Sequence, residues 1–100
     1  MKLKRSETYV KWLYGLRDRH AQLRIKARTL RLMEGNAGDH KDFGDISELR
    51  IDYGPGYRIY YTRRGQEIIL LLAGGDKRTQ ARDIENARRI AKEWDGEDHD

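Results

Sequence analysis

Arg50, Arg58, Lys77 and Arg78, with Tyr57 and Tyr60 beside them, are the side chains whose chemistry points to a site. Arginine offers a planar fork that grips a phosphate with two hydrogen bonds, and lysine adds a point charge. A tyrosine ring can stack on a base. Gly74 and Gly75 sit just ahead of the cationic pair and permit close backbone approach. Asp76 or Thr79 is suited to cap a helix that follows, and a helix N-terminus itself favours phosphate. Other chemistries fit less well. "GPGYR" and "AGGDKR" lack the spacing of a dinucleotide fingerprint or a phosphate-binding loop. His20, His40 and His99 are too scattered for a metal site, no Ser–His–acid set is visible, and no cofactor is implied.

These residues need a sheet to bring them together. Leu49, Ile51 and Tyr53 alternate with Glu48, Arg50 and Asp52, and Tyr57, Ile59 and Tyr61 alternate with Arg58, Tyr60 and Thr62. That period of two predicts a pair of half-buried strands joined at the turn residues of "GPG". If Tyr53 and Tyr57 close the hairpin, Ile51 faces Ile59 and Leu49 faces Tyr61. Asp52 then meets Arg58, and Arg50 meets Tyr60, on the opposite face. After "RRGQ", Ile68 to Ala73 is an unbroken apolar run, as expected of a central strand covered on both sides. Three strands with short turns predict an antiparallel meander that places Lys77 near Arg50, Arg58 and Tyr60. The plainer reading is an Arg–Asp cross-strand pair on a wet surface, worth about 0.2–1 kcal/mol.

Helices account for the rest. "MKLKR" can form a short edge strand. Ser6 can cap a helix over about residues 7–17 with Tyr9, Leu13 and Leu16 inward. Leu23, Ala27 and Leu30 mark a second helix, with Ile25 and Met33 adding apolar surface, stopped by "EGNAG". A short link predicts an antiparallel helical hairpin. Ile84, Ala87, Ala91 and Trp94 mark a last helix before the acidic tail "EDHD", which should fray. The fold class expected is α+β in one domain over the 100 residues.

Hydrophobic residues make up 37% and charged residues 38%. The periodic segments argue against disorder at that charge content. The net charge of +4 conceals a split, because residues 1–31 hold ten Lys/Arg and only two Asp/Glu. Such asymmetry suits an anionic partner as well as a solvated face. No cysteine is present and no apolar run is long enough to span a bilayer, so a soluble cytoplasmic protein without membrane partners is expected.

The motifs "GN.GD.K", "ELRI..GPGYR.YY" and "LL.GGDK.TQ..DI..A" occur in this order between residues 35 and 87. Together they resemble the RelE/ParE superfamily of type II toxin–antitoxin toxins, and within it the HigB-like group often called "addiction module killer protein". The resemblance covers about residues 7–95. It implies an N-terminal helical hairpin packed on a twisted antiparallel sheet of three to four strands, with a C-terminal helix. RelE-like members cleave mRNA on the ribosome without a metal, by attack of a ribose 2′-OH on the adjacent phosphate. ParE-like members share the fold, inhibit DNA gyrase and cut nothing. Both are held in hetero-oligomers by a cognate antitoxin, which in the group resembled here is usually a small helix-turn-helix protein.

By position in the motifs, the resemblance assigns Arg58 to the scissile phosphate and Lys77 to the second cationic place, with Arg50 on the preceding strand; it leaves the general acid unassigned, with Tyr60 and Lys77 as candidates. Arg78, Tyr57, Lys41, Arg24 and Arg28 form the RNA-contacting set. Where RelE-like nucleases often carry a Tyr or His near the last helix, this chain has Thr79, Gln80 and Asp83.

Overall fold

The computed structural model describes residues 1–94, so the acidic tail lies outside the described residues. In chain order it has β1 (Lys2–Arg5), α1 (Glu7–Gly15), α2 (Arg19–Met33), β2 (His40–Asp42), β3 (Ser47–Ile51), β4 (Tyr57–Arg64), β5 (Ile68–Asp76), a 3₁₀ turn (Lys77–Thr79) and α3 (Gln80–Glu93). The α+β class is as expected. The sheet is larger, with five strands in the order β1-β5-β4-β3-β2. It is also mixed, because β1 runs parallel to β5 while the other neighbours are antiparallel. β2 lies in a segment to which the spacing assigned no element. Its three exposed polar residues carry no apolar alternation, so only pairing with β3 defines it. None of the helices is long and apolar enough to cross a membrane, among the described residues.

Each face of the sheet has its own core. On one face Leu49, Ile51, Ile59, Tyr61, Ile69 and Leu71 pack with Tyr9 and Leu13 of α1 and Ile25 and Leu32 of α2. On the other, Ile46, Tyr60, Leu70, Leu72 and Ala73 pack with Ala87 of α3, flanked by Ile84, Ile90, Ala91 and Trp94. β5 supplies both cores, which explains its unbroken apolar run. The inward stripe of α2 differs from the one the spacing suggested. Ala21, Ile25, Thr29 and Leu32 are buried, while Leu23, Ala27 and Leu30 face outward. Two interleaved apolar stripes exist on this helix, and only contact with the sheet selects between them.

The hairpin register also differs from expectation by two residues. Ile51 pairs with Tyr57, Arg50 with Arg58, Leu49 with Ile59 and Glu48 with Tyr60. A shift of two keeps every side chain on its expected face, so the apolar and charged sets remain intact. The connection is a five-residue loop rather than a tight turn closed by Tyr53 and Tyr57. Its Gly54 and Gly56 take φ of +57° and +81°, which L side chains rarely adopt.

A bulge on β5 decides how the last helix sits. Tyr60 pairs with Ala73 and Tyr61 with Leu71, leaving Leu72 without an opposite residue. Leu72 and Ala73 therefore both enter the α3-side core. From there Gly74 faces Trp12 of α1, and Gly75 faces Asp83 of α3 and Thr79 of the 3₁₀ turn. The two glycines thus admit protein side chains from opposite layers, not the ligand that the sequence suggested. Asp76 then ends the strand by accepting from the Arg78 amide at 2.8 Å, in a reciprocal cap with Thr79.

Alanine at Gly74 would place Cβ 2.1 Å from the Trp12 ring, and at Gly75 1.8 Å from the Asp83 carboxylate. Each substitution should cost about 1–3 kcal/mol or more in denaturant unfolding. Gly15→Ala, with open space around its Cβ, should instead be neutral or stabilising by about 0.5–1 kcal/mol. Equal effects at the three sites would refute the packing role of the glycine pair.

Candidate functional site

The charged face of β3 and β4 leads into a cleft at the end of the sheet. The cleft holds about 170 Å³ and is lined by Asp39, Arg50, Ile51, Asp52, Gly56, Arg58 and Lys77. Three cations named from sequence therefore converge. Lys77 reaches the cleft because its stem lies across Gly56, where any Cβ would come within 3.0 Å of the lysine Cε. Arg58 is only 8% exposed, and its Nη1 donates to the carbonyls of Gly56 and Tyr57 at 3.3 and 3.2 Å. It braces the loop that seats Lys77.

Beneath these cations lies a carboxylate that the strand pattern did not single out. Glu48 is fully buried. Its Oε1 accepts from Arg50 Nε at 3.0 Å and lies 3.9 Å from Arg58 Nε. Its Oε2 accepts from the Gln80 amide of α3 at 2.7 Å. The bond to Glu48 holds the Arg50 guanidinium above its ordinary pKa. The cleft thus has three cations over one buried and two rim carboxylates, Asp39 and Asp52. It can bind one bridging anion by local geometry more readily than it can attract polyanions from a distance.

Tyr60 has to be reassigned. It shares the face of Arg50 and Arg58, as expected, but α3 covers it completely. Burial, and next the Glu48 charge, push its pKa well above the usual tyrosine range. Among the described residues its hydroxyl has no hydrogen-bond partner. With no exposed surface and no place in the cleft lining, Tyr60 is not positioned to meet a molecule bound there.

The proposed RNA-contacting residues divide. Arg28 is not a free basic group. Its guanidinium donates to the carbonyls of Arg50, Ala37 and Asp39 at 2.6, 2.9 and 3.1 Å. It ties the cleft wall to α2, and a fork satisfied by three backbone oxygens has little left for phosphate. Arg24 lies 4.6 Å from the centroid of Tyr53, in the loop that carries Gly56. Arg78 is exposed beside Lys77 and pairs with Asp76 at 3.3 Å. Tyr57 is half-buried and meets Trp12 edge-on, with centroids 6.2 Å apart. Lys41 is exposed on β2, directly across from Glu48. His40, on the same strand, bonds the Gly38 carbonyl through Nδ1 at 2.7 Å.

Sequence reasoning missed Glu48, Gln80, Asp39 and Trp12, and used Asp52 only as a cross-strand partner. One signal was available. Glu48 alternates in phase with Arg50, Arg58 and Tyr60 once the register is known, so an acid on that face was legible. Gln80 and Asp39 stand within the quoted motifs, but they come from distant segments and nothing local shows that they reach the cleft network.

Glu48→Leu should leave Arg58 buried without its countercharge and lower stability by about 3–5 kcal/mol in urea unfolding. Adding Arg58→Met should recover most of that loss. A double variant no better than the single one would show that the two charges do not interact. A second test uses pH. The Tyr53 hydroxyl, at 2.8 Å, and then the Ala21 amide hold the Asp18 carboxyl below its ordinary pKa. A lowered folded-state pKa stabilises above the unfolded value and is lost as pH falls through the folded one. Tyr53→Phe should therefore be less stable at pH 7 and lose less stability below about pH 4. Equal acid sensitivity in thermal unfolding of the two proteins would exclude this linkage.

No family model matches the chain, and no solved structure matches it. It is 44% identical over 94 residues to an "Uncharacterized protein" of Haemophilus influenzae (strain ATCC 51907 / DSM 11121 / KW20 / Rd), spanning 93% of this chain and 95% of the relative. With identity at that level across nearly the full length of both, the chain belongs to the family of that Haemophilus influenzae protein.

Proposed function

We propose that the protein is the toxin of a type II toxin–antitoxin system, a HigB-like member of the RelE/ParE superfamily. It acts in the cytoplasm as a ribosome-dependent, metal-independent mRNA endoribonuclease that inhibits translation. A cognate antitoxin, a small helix-turn-helix protein, binds it in a hetero-oligomer. The motif resemblance suggests this reading. One observation carries it, namely that Arg50, Arg58 and Lys77, from three separate segments, line a single cleft.

The chemistry asked of that cleft is explicit. The 2′-oxygen attacks the neighbouring phosphorus as a base removes its proton. The phosphorus–O5′ bond breaks, O5′ takes a proton, and the products are a 2′,3′-cyclic phosphate and a 5′-hydroxyl. In this reading Arg58 and Arg50 bind the non-bridging oxygens, whose charge grows in the transition state. The groups at the cleft that can move protons are the carboxylates of Asp39 and Asp52 as acceptors and the Lys77 ammonium as donor.

A second reading is a ParE-like inhibitor of DNA gyrase without nuclease activity. It is favoured by the burial of Tyr60 and by the three carboxylates around the cations; among the described residues lining the cleft there is neither an aromatic nor an imidazole acid.

Expression of the protein alone, with mapping of mRNA 5′ ends, separates the two. Cuts at ribosome-associated positions are expected. Lys77→Ala should reduce them by about 10²–10³-fold, and Arg58→Ala by as much when circular dichroism shows that variant to be folded. Intact mRNA with gyrase-linked DNA breaks would establish the second reading instead.

A further inference from the structure

The outward face of α2 has a composition that solvation alone does not call for. Leu23, Ala27 and Leu30 recur at spacings of four and three, so they form one line along the helix. The buried face of the same helix is formed by Ala21, Ile25, Thr29 and Leu32, leaving this line in solvent. Leu23 is 64% exposed and Leu30 52%. Leu30 also borders a groove of about 250 Å³ between α1 and α2, together with Tyr14, itself 53% exposed. At 100° per residue, Arg24 and Arg31 flank the line on one side and Arg19 and Lys26 on the other. α2 contains no acidic residue, and none of the ion pairs among the described residues involves an α2 side chain.

An apolar seam with charged flanks is how one helix specifies another. The seam supplies the burial, and the flanking charges choose the partner. We propose that this face docks an amphipathic helix of a partner protein whose own apolar stripe is bordered by Asp and Glu. Charge complementarity selects this occupant. A second copy of the chain would set basic flanks against basic flanks across the seam. Nucleic acid would use the flanks alone and leave Leu23 and Leu30 in water. The face lies on the side of α2 away from the sheet, so this inference stands whether or not the cleft cuts RNA.

The test uses the full chain, isotope-labelled for NMR, and two synthetic helical peptides of about three heptads. Both carry Leu along one stripe; one has Glu on its flanks and the other Lys. The Glu peptide should shift α2 amides with micromolar affinity, and the Lys peptide should not bind. Leu23→Ser with Leu30→Ser should weaken the Glu peptide by about tenfold or more. Arg24→Glu with Arg31→Glu should abolish the Glu peptide's binding and admit the Lys peptide. All four positions are exposed, and the spectrum of each variant reports whether the fold is kept. The proposal is overturned if neither peptide binds, if both bind alike, or if the shifts fall at the cleft. It is equally overturned if the free protein dimerises through Leu23 and Leu30. Binding of a single-stranded RNA to α2 that ignores both leucine substitutions, with no peptide bound, would make the face a nucleic-acid surface instead.

Discussion

A strand covered on both faces has no side left for water, so every position along β5 must fit a neighbour from one layer or the other. β5 meets this constraint by being apolar from Ile68 to Ala73, then small at Gly74 and Gly75. The small residues are as necessary as the large ones. α1 and α3 press on the strand at nearly the same level, Trp12 against Gly74 and Asp83 against Gly75. The bulge at Leu72 sets the phase that gives each glycine its proper layer. Ser6 secures the arrangement from the far side. It caps α1 through the Tyr9 amide and donates to the Leu72 carbonyl at 2.5 Å. Lys77 therefore emerges at a fixed place because the preceding strand cannot slide.

Electrostatics at the cleft follow from that geometry. Burying the Arg58 guanidinium is unfavourable without a countercharge, and Glu48 provides one shared with Arg50. Gln80 satisfies the second carboxylate oxygen and joins α3 to the same network. Arg28 works from the opposite layer, holding the backbone of Asp39 and Arg50 in place. The cations are thus oriented by groups that never enter the cleft. Preorganisation of this kind is what a site needs if it is to stabilise charge that appears during a reaction.

The charged and apolar faces of β3 and β4 were legible because alternation survives a register shift of two, though the pairing itself was not. The convergence of Arg50, Arg58 and Lys77 was legible for the same reason. Tyr60 was misplaced because strand alternation tells which face a residue takes, not whether a helix later covers it. Arg28 was misread because a basic residue on a polar helix looks the same whether it meets water or backbone carbonyls.

By itself the sequence determined the order of the three helices and of β1, β3, β4 and β5, the α+β class and the faces of the central strands. These depend on local periodicity and on hydrogen bonds between near neighbours. Only the tertiary structure decided the parallel pairing of β1 with β5, the added strand β2, the inward stripe of α2 and the identity of Glu48 as the carboxylate beneath the cleft. Each of these turns on which distant segment reaches a position first, and long-range pairing leaves no mark in local spacing.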